Sequence, residues 1–200
     1  MKKAQPIKNK KQLERFKNFY ITEEYNPRNH VLIIVGPNTA LRVSDILEFC
    51  WNDVYDFEKR EFRTHLMLVE KKTQKLSVIY LNKRIVSVLD WYKENLGEKI
   101  NPHTNLFPNH NGDAISRVQA YRIVRHAAEE CNIDGVISPH SLRKTFGYQA
   151  WKQETAPVLL MDIYQHSSFN ITKRYLGIEQ DERDSVFVML LSDLIIIFQM

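Results

Sequence analysis

Cysteine is scarce in this sequence, which has two among its 200 residues. Cys50 and Cys131 lie far apart, and no stretch has the pattern of a secretory signal peptide. The sequence therefore gives no basis for a disulfide framework or a multi-cysteine zinc site. We expect the protein to work in the reducing cytoplasm.

Long apolar runs are also missing. The most apolar stretch, Val186 to Phe198, is interrupted by Ser192 and Asp193 and is too short to span a bilayer. It predicts a packing helix, and we expect no membrane partner. The sequence has no internal repeat, low-complexity segment or Gly/Ser-rich linker, which favours one compact domain.

The sequence lacks the motifs of two common kinds of phosphate-binding or phosphate-cleaving site. There is no glycine-rich phosphate loop of the Walker type and no acidic cluster for two-metal catalysis. A cysteine phosphatase is disfavoured because no Cys-x5-Arg loop occurs. These absences are consistent with phosphate chemistry that needs neither a metal nor a nucleotide cofactor.

The charge that is present is mildly basic, with a net charge of +4 and a pI near 9.0. Lysines crowd the N-terminus and favour a polyanionic partner. They are Lys2, Lys3, Lys8, Lys10, Lys11 and Lys17.

The periodicity of apolar residues predicts a mainly helical protein with one small antiparallel sheet. Helices are predicted around Leu13–Tyr20, Val31–Val35, Ile85–Tyr92, Tyr121–Cys131 and Leu142–Ala150. The second should end at Gly36-Pro37, and Ser44 should cap the next one. Thr64–Val69 and Leu76–Leu81 predict a β-hairpin around a polar turn.

Four residues near the C-terminus stand at fixed intervals. His140 and Arg143 form a His-x-x-Arg motif, His166 follows Arg143 by 23 residues, and Tyr175 follows His166 by nine. Upstream, Thr39 to Asp45 contains Arg42 with an acidic residue three positions later. In these motifs the sequence resembles the tyrosine recombinase, or phage integrase, family from about Asn29 to Gly177.

Each of these residues also suits phosphodiester chemistry on physical grounds. Arg42 and Arg143 stay cationic and can bind two phosphate oxygens, so they can stabilise charge that develops under attack. Tyr175 can be the nucleophile if a base, or strongly positive surroundings, favours the phenolate over the phenol, whose ordinary pKa is near 10. His140 can accept that proton, and His166 can donate to a phosphate oxygen.

The resemblance implies two further residues. Lys72, in the predicted hairpin turn, falls where the family has its catalytic lysine, a general acid for the departing 5′ hydroxyl; Lys71 and Lys75 are rivals for this role. Asp45 would hold a histidine or arginine in place, or would simply favour a helix N-terminus.

The resemblance implies a recombinase that breaks and rejoins double-stranded DNA through a 3′-phosphotyrosyl bond. We expect a basic N-terminal segment and first helix over 1–28 in the same domain, a catalytic domain over 29–183, and an apolar helix over 184–200 for exchange between protomers. Expected partners are a homo-oligomer on DNA, as a tetrameric synapse, and accessory DNA-bending proteins, at the nucleoid.

The sequence departs from the family in two ways. Only about forty residues precede Arg42, so we expect a catalytic domain that stands alone. Gln165 occupies a position where the family usually has glycine, and a positive φ there would strain the turn before His166. Two alternatives stay open: a non-recombining DNA-binding regulator of this fold, and a strand-passage enzyme of the type IB topoisomerase class.

Overall fold

The computed structural model describes residues 4–72, 74–97 and 100–197, with side chains up to residue 188. It divides into two compact units, Met1–Phe146 and Gly147–Met200, which are called here the first and second unit. Most elements are helices, and the strands are short and antiparallel. The predicted fold class is confirmed.

The first unit contains six complete helices among its described residues and the start of a seventh. They are α1 (Lys10–Thr22), α2 (Pro27–Thr39), α3 (Val43–Ile46), α4 (Trp51–Val54), α5 (Lys83–Leu96), α6 (Arg117–Glu130) and α7 (Pro139–Lys152). The division between the units falls within α7. All five helices predicted from apolar periodicity are present.

The strands form two separate sheets rather than the single sheet that the sequence predicted. β1 (Tyr55–Asp56) pairs with β2 (Glu61–Phe62), and β3 (His65–Val69) pairs with β4 (Leu76–Tyr80). The β3–β4 hairpin confirms the predicted one, with Met67 opposite Val78. Leu66 packs into the core whereas Met67 is exposed, as the alternation of side chains along a strand requires.

The core of the first unit is built on large side chains such as Phe16, Trp51 and Tyr92. The N-terminal segment joins it, because Ile7 is buried and its backbone N–H donates to Thr145 Oγ1 at 2.9 Å. The sequence suggested that Lys17 belongs to a basic surface, but the structure places it elsewhere. It is buried and its Nζ is 2.7 Å from Glu14, whereas Lys2 and Lys3 lie outside the described residues.

α2 is longer than predicted, because it continues through Gly36 and Pro37 to Thr39. The Asn38 amide and the Thr39 hydroxyl donate to the carbonyls of Ile34 and Val35, which gives these carbonyls partners at the end of the helix. The glycine has a packing role instead: a Cβ on Gly36 would lie 2.5 Å from Leu142 Cδ1. It therefore permits close approach of α2 to the start of α7.

The second unit contains the rest of α7, then α8 (Pro157–Tyr164), α9 (Phe169–Leu176) and α10 (Glu179–Ile197). Its buried side chains include Leu160, Leu176 and Ile178. The apolar stretch that begins at Val186 lies in α10, and Phe198 lies outside the described residues. Within the described part of the chain, no helix is both long and apolar enough to cross a membrane.

Candidate active site

The segment between α2 and α3 carries one arginine and accepts a hydrogen bond from another. Ala40 ends α2 in the left-handed conformation, with φ 55°, and its carbonyl accepts a hydrogen bond from Arg143 Nη1. Arg42 follows two residues later and precedes α3 as its N-cap, where the sequence had predicted Ser44. A contact across 103 residues of sequence thus anchors Arg143, which is 4% exposed, beside the segment that carries Arg42.

His140 lies in the first turn of α7, at an exposed position surrounded by positive charge. Partial desolvation lowers the pKa of His140 below its ordinary value, and the charges of Lys144, Arg143, Arg42 and Lys72 lower it further. At neutral pH the imidazole is therefore neutral and able to accept a proton. The same four cations form a setting suited to a phosphate.

The β3–β4 turn carries Lys72. Its neighbour Lys71 is engaged elsewhere, because its Nζ lies 2.7 Å from Glu48 Oε1. Lys72 is exposed, and its charge acts on His140. Of these two lysines, Lys72 is the better placed for chemistry near His140.

Asp45 is 2% exposed and contacts this turn through its carboxylate, because Oδ1 accepts a hydrogen bond from the backbone N–H of Lys71 at 3.2 Å. It also stands in the first turn of α3. The carboxylate therefore holds the backbone beside Lys72. The sequence had suggested a histidine or arginine as its partner.

In the second unit, Tyr175 lies in an aromatic cluster. Its ring centroid is 5.3 Å from that of His166 and 5.3 Å from that of Tyr164, and these two rings stack at 5.6 Å. Thr172 Oγ1 lies 3.0 Å from His166 Nδ1, a shorter contact than the 3.5 Å from this hydroxyl to the carbonyl of Ser168. The Thr172 hydroxyl thereby fixes the orientation of the imidazole.

The turn before His166 is left-handed, as the sequence comparison with glycine had suggested. Gln165 has φ 56° and ψ 44° and ends α8. Behind this turn, a Cβ on Gly147 would lie 2.5 Å from Tyr164 Oη and 2.6 Å from Leu176 Cδ2. Gly147 therefore leaves the space in which Tyr164 and α9 pack.

The seven predicted site residues fall into two groups. The structure gathers Arg42, Asp45, Lys72, His140 and Arg143 within the first unit. It gathers His166 and Tyr175 within the second.

Comparison with known protein families identifies the family of this chain. The model of the phage integrase family matches residues 8–182, most of the chain. The chain belongs to the phage integrase family. It is a tyrosine recombinase, an enzyme class that carries out site-specific DNA recombination.

Several relatives of the recombinase are known. It is 36% identical over 182 residues to the probable integrase/recombinase YoeC of Bacillus subtilis (strain 168), covering 89% of this chain and 92% of that one. It is 26% identical over 149 residues to the type 1 fimbriae regulatory protein FimE of Escherichia coli (strain K12), covering 74% and 73%.

Solved structures share the fold. XerA recombinase matches with a TM-score of 0.72 and 16% identity, covering 94% of this chain and 64% of that chain. XerH recombinase bound to its difH substrate, in a post-cleavage complex, matches with a TM-score of 0.66 and 22% identity, covering 84% and 48%. The recombinase therefore spans 64% of the XerA chain and 48% of the XerH chain.

Three residues around the site of the recombinase were missed at the sequence level. Glu70 forms an ion pair with Arg42, Tyr164 packs on Tyr175, and Thr172 contacts His166. Tyr164 and Thr172 had one available signal, since they stand close in sequence to His166 and Tyr175. For Glu70 the only sequence signal was its position two residues before Lys72.

Proposed function

We propose that this recombinase cleaves one strand of double-stranded DNA by attack of the Tyr175 hydroxyl on a backbone phosphate. The observation that carries the proposal is the set of four cations around a histidine of lowered pKa, His140. The packing of the Tyr175 ring against His166 supports it. The motif intervals support the action of the site residues of both units on the same phosphate.

In the proposed step, the Tyr175 oxygen forms a bond to phosphorus and the bond from phosphorus to the 5′ oxygen breaks. His140 accepts the phenolic proton, and Lys72 donates a proton to the departing 5′ oxygen. The product is a 3′-phosphotyrosyl bond, which conserves the energy of the phosphodiester. A 5′ hydroxyl of another strand then reverses the step and rejoins the DNA.

The added negative charge of the pentacoordinate phosphate needs donors that are already in place. Arg42 and Arg143 supply them in the proposal, Arg143 from a position fixed by the Ala40 carbonyl. His166 donates from Nε2 if the Thr172 hydroxyl donates to Nδ1, the shorter of the two contacts of that hydroxyl. Asp45 acts through the backbone of the Lys72 turn.

The proposed partners are double-stranded DNA, further copies of this chain in a tetrameric synapse, and accessory DNA-bending proteins, at the nucleoid in the cytoplasm. The XerH structure, whose protein is bound to its substrate DNA, supports the first of these. The experiment is incubation with DNA from the protein's own genetic neighbourhood, followed by a search for a protein-linked strand. A non-recombining regulator would give none, and relaxation of supercoils without strand exchange would indicate a topoisomerase.

DNA affinity should fall steeply with salt, because each neutralised phosphate releases condensed counterions. Each phosphate contact contributes about −0.9 to the slope of log K against log salt concentration. With four or more contacts, the slope should therefore be about −4 or steeper. A binding titration from low to high ionic strength measures it. Lys72→Ala should reduce the slope by about one, whereas Arg15→Ala, which removes a cation paired with Glu23 at 2.9 Å, should leave it unchanged. A flat titration would show that these cations do not contact DNA.

The C-terminal helix should serve assembly. Val186, Phe187 and Val188 of α10 are 56%, 68% and 65% exposed, more apolar surface than a helix end needs in a monomer. We propose that α10 docks on a neighbouring protomer and that docking fixes Tyr175. A truncation ending after Arg183 should stay folded but lose association on DNA and strand exchange.

The matched control for the truncation is Val118→Ser, which removes an exposed apolar side chain (59%) from α6 and should assemble normally. Association on DNA is measured by sedimentation or gel shift. A truncated protein that unfolds, or that assembles and recombines like the parent, contradicts the docking proposal.

A further inference from the structure

Glu70 is a charged side chain that the proposed reaction does not use. It directly follows β3 and is 2% exposed. Its Oε2 forms an ion pair with Arg42 Nη1, and its Oε1 accepts a hydrogen bond from Ser77 Oγ at 2.6 Å. Both carboxylate oxygens therefore have partners, one at the N-cap of α3 and one on β4.

The backbone of the same residue closes that turn. The Glu70 N–H donates to the Lys75 carbonyl at 3.0 Å, and the Glu70 carbonyl accepts from the Gln74 N–H at 2.9 Å. The turn so closed contains Lys72. Glu70 thus holds the turn that carries Lys72 through its backbone, and it holds the side chain of Arg42 through its carboxylate.

A second contact ties the same two segments together. Asp45, three residues after Arg42, accepts from the backbone N–H of Lys71 at 3.2 Å. The segment that carries Arg42 and the turn that carries Lys72 are therefore joined at adjacent positions, Glu70 and Lys71. Their relative position is set by these contacts, since the two segments are far apart in sequence.

We propose that Glu70 is a positioning residue, which fixes the Arg42 guanidinium and the Lys72 turn relative to each other before DNA binds. The inference rests on the proposed roles of Arg42 and Lys72. A free arginine has many rotamers, and holding it in one conformation avoids the loss of this freedom in the reaction. The guanidinium has five N–H donors, so contact with Glu70 through Nη1 leaves others for a phosphate.

Three substitutions separate position from charge. Glu70→Gln keeps the length and the acceptor oxygen but loses the charge, whereas Glu70→Asp keeps the charge and withdraws it by one methylene. Glu70→Ala loses both. The matched control is Glu48→Ala, which removes an exposed carboxylate paired with Lys71 at the same turn.

The measurement is the single-turnover cleavage rate of a nicked suicide substrate, with DNA affinity and melting temperature recorded for each variant. Positioning predicts a loss on the order of 10²-fold for Glu70→Ala, a loss of about tenfold for Glu70→Asp, and a rate within a few-fold of the parent for Glu70→Gln. Glu48→Ala should also cleave within a few-fold of the parent. Affinity should not fall in any of them. If the alanine variant does not fold, the cleavage rates of the other two variants test the inference, which predicts that Glu70→Gln cleaves faster than Glu70→Asp.

The route through Arg42 is tested by Arg42→Ala alone and combined with Glu70→Ala. If Glu70 acts through this arginine, the second substitution adds little to the first. Full additivity, or Glu70→Ala and Glu70→Asp rates equal to that of Glu48→Ala, would overturn the inference. Failure of the proposed function is distinguishable, because the parent would then give no protein-linked strand, or Arg42→Ala would cleave like the parent.

Discussion

Tyr175→Phe will abolish covalent strand cleavage while DNA affinity stays nearly unchanged. The substitution keeps the ring, which packs 5.3 Å from those of His166 and Tyr164, so the local packing of α9 should persist. It removes the oxygen that forms the bond to phosphorus in the proposed step. A hydroxyl hydrogen bond contributes only about 1 kcal/mol net, which limits the change in affinity to several-fold.

The assay is denaturing electrophoresis of a nicked suicide substrate, which traps the protein on the cleaved strand. Tyr25→Phe is the matched control, since it removes a hydroxyl that donates to Asn95 at 2.6 Å in the first unit. The control should cleave at the parental rate. Covalent product from the Tyr175 variant would refute the assignment of the nucleophile.

Arg42→Ala and Arg143→Ala will each slow cleavage by a factor on the order of 10²–10³, because loss of one preorganised donor to a developing oxyanion costs about 3 kcal/mol. Lysine should rescue either position poorly, since an ammonium cannot bind two oxygens in one plane. Arg143 also anchors to the Ala40 carbonyl, so its alanine variant should be the less stable of the two.

Single-turnover rates at saturating DNA separate this loss from weakened binding, and melting temperatures report the folded fraction. Arg125→Ala is the control, since this arginine on α6 pairs with Glu129 at 2.6 Å and has no proposed role. An alanine variant at Arg42 or Arg143 that cleaves within a few-fold of the parent would show that the residue does not stabilise the transition state.

The placement of candidate site residues could be predicted from the sequence where spacing alone fixes their geometry. His140 and Arg143 are three residues apart on one helix, so they share a face of α7. The hairpin was predictable because β-branched and apolar runs flank a polar turn, which placed Lys72 at its tip. These patterns are local, and tertiary packing did not change them.

Contacts between residues far apart in the sequence could not be predicted from such local patterns. An acidic residue after a strand usually faces solvent. The burial of Glu70 depends on partners that include Arg42, 28 residues away in the sequence. The end of α2 was misplaced because Gly36-Pro37 normally terminates a helix, whereas here Gly36 makes room for Leu142. The site assignments and the domain boundaries stay predictions until variants are assayed.

The most direct test of the central claim is to identify the amino acid bonded to DNA. The trapped complex is digested with protease and nuclease, and the nucleotide-bearing peptide is sequenced by mass spectrometry. The account predicts a single adduct, a 3′-phosphoryl nucleotide on the oxygen of Tyr175, with a free 5′ hydroxyl on the released strand. An adduct on another residue, or a phosphate linked through its 5′ side, would contradict it.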